Sequence, residues 1–276
     1  MELLLFKMDP DNTIQTIKNS IMQIDSVIDK MVNVLSQDIT TMGMWNVVRS
    51  AVTVSTSIAM VLVTLYWLIT FLSEILEKDW RNLSLSWYFR KIVILIFAQG
   101  LITAAPDIVI TIYNFIGWAM NEYSIGIGAS ELFKNIDFKE FKAYLETLGF
   151  TKHLLLYIEL FVPVIIMRIV GLVIQLMVWY RILQICLLAI ISPIPMATIV
   201  NDKHSGVFSF LKEVIAVCGQ SIIMLLGCEL YKGIVMQIMS NSVQNVGSVW
   251  HLCLSTIVLL TTIIGSQKLA KLFLGR

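Results

Sequence analysis

LLLYIELFVPVIIMRIVGLVIQLMVWYRILQICLLAIISPIPMATIV, residues 154–200, is apolar on every helical face and yet carries Glu159, Pro163, Arg168, Arg181, Pro193 and Pro195. A helix this apolar all round has no stable place in water, so a bilayer or a large bundle core must solvate it. Charges inside such a run are costly unless partners or an aqueous path receive them. Arg168 lies roughly 21 Å along the helix from Leu154 at 1.5 Å per residue, too deep for its stem to reach an interface. Gln175, seven residues on, shares its face, whereas Glu159 points nearly the opposite way. Trp179, Tyr180 and Arg181 carry the aromatic and basic signature of a membrane interface, so the span is expected to end there. Ile182–Ile191 then continues apolar, at the interface or against the bundle, until Pro193 and Pro195 end the helix.

The rest of the chain agrees with that solvent. Apolar residues make up 57% and charged residues 14% of the 276 positions, with a mean hydropathy of +0.81, far outside the soluble globular range. The net charge of +1 and the lack of a basic block give no sign of direct nucleic-acid binding. Cys186, Cys218, Cys228 and Cys253 sit in apolar segments without metal-like spacing and read as small core hydrophobes. The N-terminus has only a short apolar run before Asp9 and Asp11, which is not a secretory leader.

Upstream, Ile14, Ile17, Ile21, Ile24, Ile28, Met31 and Leu35 recur at spacings of three and four among polar residues, the pattern of an amphipathic helix with a narrow apolar seam. That seam either packs on its own protein or the membrane surface, or serves as an oligomer or partner seam. A first span follows over about 52–72, its first half rich in Ser and Thr, and small side chains let helices approach closely in lipid. The connector 74–91 mixes basic and aromatic residues and reads as an interfacial helix.

A second span covers about 92–120 and is interrupted by Pro106 and Asp107. A kink, a tilt or two half-helices would accommodate its length; Asp107 either caps a second half-helix or lines a polar cavity. Pro106, Pro163, Pro193 and Pro195 are the expected helix breaks. After a longer polar loop at 121–152 and the 154–180 span, a fourth runs over about 210–239. It holds Glu229 and Lys232 at i,i+3, suited to a salt bridge or to a polar relay site. A fifth covers about 250–265.

The expected fold is therefore all-α: a polytopic helical bundle of about five transmembrane helices (52–276) preceded by an extracytoplasmic amphipathic segment (1–51). The more basic connectors and tail favour an outside N-terminus and a cytoplasmic C-terminus. Asp107, Glu159, Arg168, Gln175, Glu229 and Lys232 are the intramembrane polar residues. No HExxH, GxSxG or Walker A motif is present, so neither catalysis nor a cofactor nor a metal is expected. An autonomous small-solute or ion transporter or channel, and a membrane scaffold or immunity-type protein, fit the same pattern. A transporter of the common folds would show paired repeats with broken helices, which this chain lacks.

The order of features resembles the TrbL-like polytopic inner-membrane subunits of type IV secretion systems, equivalent to the sixth VirB protein. The matching features are an amphipathic N-terminal segment, five spans, the longest polar loop after the second, and a long third hydrophobic stretch. Trp179-Tyr180-Arg181-Ile182-Leu183-Gln184 leading to Ser192-Pro193-Ile194-Pro195-Met196-Ala197 is similar to the version in conjugative elements of Gram-positive bacteria. The resemblance implies a non-enzymatic channel or scaffold subunit in the bacterial cytoplasmic membrane, supporting transfer of DNA and protein. It further implies a homo-oligomeric ring in contact with membrane lipid and with other secretion subunits, the ATPase and pilin or surface subunits among them. Translocated single-stranded DNA would pass nearby.

Overall fold

The computed structural model describes residues 10–78, 84–125, 138–147, 150–200, 205–240 and 246–273. Eight α-helices and no strand occur among them: α1 (Pro10–Ser36), α2 (Trp45–Lys78), α3 (Leu85–Ile125), α4 (Lys139–Glu146), α5 (Phe150–Ile191), α6 (Pro193–Met196), α7 (Ser205–Ser240) and α8 (Val246–Phe273). Five stretches are long and apolar enough to cross a membrane: Trp45–Glu77, Leu85–Glu122, Leu154–Val200, Gly206–Ile238 and Val246–Leu272. The protein is an all-α polytopic membrane protein. The glycine-containing start of the 121–152 loop, the turn at Asp202–His204 and the tail at Arg276 lie outside the described residues.

The chain forms two compact units. The first comprises the described parts of 1–36, 119–180 and 220–269. Here α1 buries Ile17, Ile21, Ile24, Ile28, Met31 and Leu35 almost completely, with Ile14 half-buried. Val27 faces Gly171 of α5, where a side chain's Cβ would meet Val27 Cγ2 at 3.9 Å. Of the two roles open to the seam, packing on its own chain is the one seen among the described residues. Asp11, in the first turn of α1 where the helix dipole favours an acid, pairs with Lys142 of α4 at 2.7 Å. In the same unit α7 and α8 run antiparallel. Gln220 Nε2 donates to Ser266 Oγ at 2.7 Å, Tyr231 and Thr256 share a hydroxyl bond of 3.2 Å, and Gly227 lies under Thr262. Without a hydrophobic drive between helices in lipid, such bonds and close approaches carry the packing.

The second unit comprises the described parts of 37–118, 181–219 and 270–276. Its α2–α3 hairpin is closed at one end by aromatic and charged side chains. Trp67 Nε1 donates to the Lys91 carbonyl at 2.9 Å, Trp87 Nε1 donates to Glu74 Oε2 at 3.0 Å, and Lys91 pairs with Glu74. Phe71 stacks between Trp67 and Trp87. Ser and Thr along α2 return their hydroxyl protons to the helix's own carbonyls, as at Ser50, Thr53, Ser57 and Thr64. That satisfies them without water and permits hydroxyls inside a span.

Two expected helix breaks do not occur. α3 runs unbroken through Pro106 and α5 through Pro163, as neighbouring helices in a bundle allow. α5 continues past Trp179, Tyr180 and Arg181 to Ile191, as the apolar run up to Pro193 leads one to expect. It ends where Pro193 removes the next donor: Ser192 N–H still bonds Leu188, Ser192 Oγ turns back to Ala189, and Pro193 opens the short α6.

Candidate functional site: polar groups within the spans

The second unit carries an open groove of about 670 Å³ between α2 and α3, lined by Arg49, Thr53, Ser57, Thr103, Asp107 and Thr111 with other residues. All six are exposed. The antiparallel hairpin explains the grouping: pairing Glu74 with Lys91 at one end brings Thr53 and Ser57 opposite Thr103 and Asp107 further along. The protons of Thr53, Ser57 and Thr103 go to Arg49, Thr53 and Gln99 carbonyls at 3.1, 3.0 and 2.8 Å. Their oxygens remain able to accept. Asp107 and Arg49 make no hydrogen bond or ion pair to any described residue. Of the two roles open to Asp107, the cap is not realised, because α3 has no second start. An ionised side chain facing hydrocarbon costs on the order of 3 kcal/mol or more, so this face is chemically unsuited to lipid.

Beside the groove, Asp38 caps the 3-10 turn Ile39–Thr41, accepting from Thr40 N–H at 2.9 Å. That backbone bond holds its carboxyl below the usual carboxylate range.

The first unit carries a charge cluster. Lys232 is buried on α7 with its Nζ 3.5 Å from Glu229 and 3.8 Å from Asp29 of α1. Asp25 adds a third carboxyl to the same neighbourhood, and its buried Oδ1 has no hydrogen-bond partner among the described residues. The i,i+3 pair was legible in the sequence; the α1 acids, some 200 positions away in the chain, were not. Arg49 was missed for the same reason, since only the hairpin register places it along the same groove as Asp107.

Glu159, Arg168 and Gln175 are all exposed on α5. Gln175 lines a cavity of about 190 Å³ with Lys30 and Val34 of α1, and Arg168 lies two turns back on the same face. Neither Arg168 nor Glu159 has an ion-pair partner among the described residues, so neither charge is compensated within its own unit. In the other unit Arg181 is buried, donating to Gln184 Oε1 at 2.8 Å. No cluster of three metal-ligating side chains occurs among the described residues.

Five apolar spans, with unpaired charges and carbonyl-bonded hydroxyls on exposed faces, define a polytopic membrane protein. The family model for TrbL/VirB6 plasmid conjugal transfer like protein matches residues 38–193, more than half of the chain, and the chain belongs to that family. The matched segment holds the whole α2–α3 groove and α5 up to Pro193. Neither the curated proteins nor the solved structures compared with the chain match it. The family is one of secretion-system subunits associated with conjugal transfer, not a known enzyme family.

Proposed function

We propose that this chain is an integral-membrane channel or scaffold subunit of a conjugative type IV secretion system, of the Gram-positive type, supporting passage of DNA and protein across the cytoplasmic membrane. The observation that carries this reading is the exposed α2–α3 groove within a family-matched segment, where Asp107 and Arg49 stand unpaired among hydroxyls. A lone protein in lipid would leave that face uncompensated; a ring of copies, or a neighbouring secretion subunit, supplies the donors and acceptors it lacks. In this reading the N-terminus is outside and the C-terminus cytoplasmic, and the other subunits include the secretion ATPase and pilin or surface components. Single-stranded DNA is the transported polymer. An in-frame deletion in a donor strain, complemented by the wild-type copy, tests the reading. Transfer collapses and returns with the copy; unchanged transfer would reject it in favour of an autonomous transporter or channel, which vesicle flux would then reveal.

A further inference from the structure

Polar and aromatic groups crowd the closed end of the α2–α3 hairpin. Trp67 Nε1 is taken up by the Lys91 carbonyl. Glu74 accepts from Trp87 and pairs with Lys91, whose Nζ also lies 5.7 Å from the centre of the Trp87 ring. Beside this clasp, and within the same unit, is a cavity of about 260 Å³. Its polar lining is Thr70, Arg90 and Lys91, and its apolar lining includes Ile94, Phe97 and Val200.

Two donors there have no partner among the described residues. Arg90 is exposed and makes no ion pair or hydrogen bond to them. Thr70 donates to no carbonyl among them, unlike Ser50, Thr53, Ser57 and Thr64 on the same helix. Glu74 is already engaged by Lys91 and Trp87, and Glu77, the next acid on α2, does not line the cavity. The cavity therefore presents an uncompensated guanidinium with a hydroxyl beside it.

Its level in the span narrows the ligand. Arg90 stands about 8 Å of helix rise from Leu85, where that span begins, and Thr70 about 10 Å from Glu77, where the other ends. Trp67, Trp87 and Tyr88 surround this level, and such rings gather at the headgroups of a bilayer. Ile94 and Phe97 follow Arg90 one and two turns further into the span. Nearby Leu68, Leu72, Phe89, Val93 and Ile96 are exposed and form an apolar surface that hydrocarbon chains would cover. A charged end near the interface and an apolar end towards the core are the order of a lipid itself.

We infer that this cavity is a binding site for an anionic phospholipid, with Arg90 and Thr70 holding the phosphate and the acyl chains running over Ile94 and Phe97. A guanidinium offers phosphate oxygens two parallel donors, and basic pockets between membrane helices receive anionic headgroups in this way. A headgroup with its own ammonium would bring another cation beside Arg90 and Lys91, whereas a glycerol headgroup brings none. The inference goes beyond the secretion reading and needs neither an orientation nor transfer.

The full chain, purified in detergent, would be given equimolar phosphatidylglycerol and phosphatidylcholine of the same acyl chains, and the retained lipids counted by native mass spectrometry. One cation near an anionic headgroup is worth roughly 5-fold in binding, so wild type is expected to retain phosphatidylglycerol at least ~5-fold over phosphatidylcholine and Arg90→Gln to bring the ratio to about 1. Arg90→Lys keeps a preference, and Lys212→Gln, which removes an exposed cation of the same unit outside the cavity, leaves it unchanged. Ile94→Trp fills the apolar end with every charge intact and lowers retention of phosphatidylglycerol; it carries the test if Arg90→Gln fails to accumulate. Equal retention of the two lipids by wild type, or a preference that survives Arg90→Gln, overturns the inference. Displacement of the lipid by millimolar inorganic phosphate would mean a free-anion site, and lipid lost from oligomeric species alone would mean that a second copy covers the cavity; either also overturns it. None of these results reads conjugal transfer, so failure here leaves the secretion function to its own complementation assay.

Discussion

Lys232→Met removes the only ammonium among the described residues of the Asp25, Asp29 and Glu229 cluster. At 3.5 and 3.8 Å and an effective dielectric near 20, the gross attractions to Glu229 and Asp29 are each about 4–5 kcal/mol. Much of that offsets the desolvation of the ions themselves. Asp29 retains 42% of its side-chain exposure, so water screens it and its share is small. Glu229, at 11%, cannot be resolvated without moving α7. Truncating one member of a buried pair typically costs about 3–5 kcal/mol, and about 3 is expected here. For a chain of this size that is a loss of roughly 6–12 °C in Tm, read by thermal unfolding of the detergent-solubilised protein. Adding Glu229→Gln to Lys232→Met removes the stranded charge and returns a large part of the loss. An unchanged Tm in the single variant, or a double variant whose loss equals the sum of both singles, would refute the account of a coupled buried pair.

Asp107→Leu is expected to insert and accumulate normally yet lower transfer at least ~10-fold, while Asp107→Asn, which keeps polarity, loses less; donor mating assays with membrane-fraction blots distinguish the two. Arg168→Leu should impair transfer or the detergent-stable assembly, and normal values of both would exclude a role for that charge. At Gly227 a Cβ would stand 3.1 Å from Thr262 Cγ2, so Gly227→Leu should overpack the α7–α8 contact by about 1–3 kcal/mol and lower Tm, whereas Gly227→Ala displaces Thr262 only slightly. Asp38→Ala removes the cap before α2 at a cost of about 1 kcal/mol. Because the Asp38 carboxyl titrates below its unfolded value, the cap's contribution is present above the usual carboxylate pKa and is lost as pH falls through the lower folded one. Wild type and variant should therefore converge in Tm under strongly acidic conditions.

The spans were legible because lipid solvation acts residue by residue: each apolar run needs only its own length and composition to declare itself. Helix ends were less legible. Pro106 and Pro163 read as breaks because proline removes a backbone donor in any context, yet α3 and α5 run unbroken through them, as membrane helices can. Trp179, Tyr180 and Arg181 read as an interface because aromatic and basic residues favour one, but Arg181 is buried and donates to Gln184 within α5, which periodicity alone did not show. The α1 seam, with its regular spacing, was equally suited to its own chain and to another; only packing could choose, and it chose α4, α5 and α7 of the same unit as neighbours.

By itself, then, the sequence determined the solvent, the helical class, the five apolar stretches and the identity of the charges placed within them, all properties of local composition and period. Which charges meet, which stay bare and which face of α1 is covered were decided by tertiary structure. Those outcomes depend on the register of one helix against another: the α2–α3 hairpin sets Arg49 and Asp107 on one groove, and the docking of α1 sets Asp29 near Lys232. Pairings across such separations leave no trace in the periodicity of either partner alone.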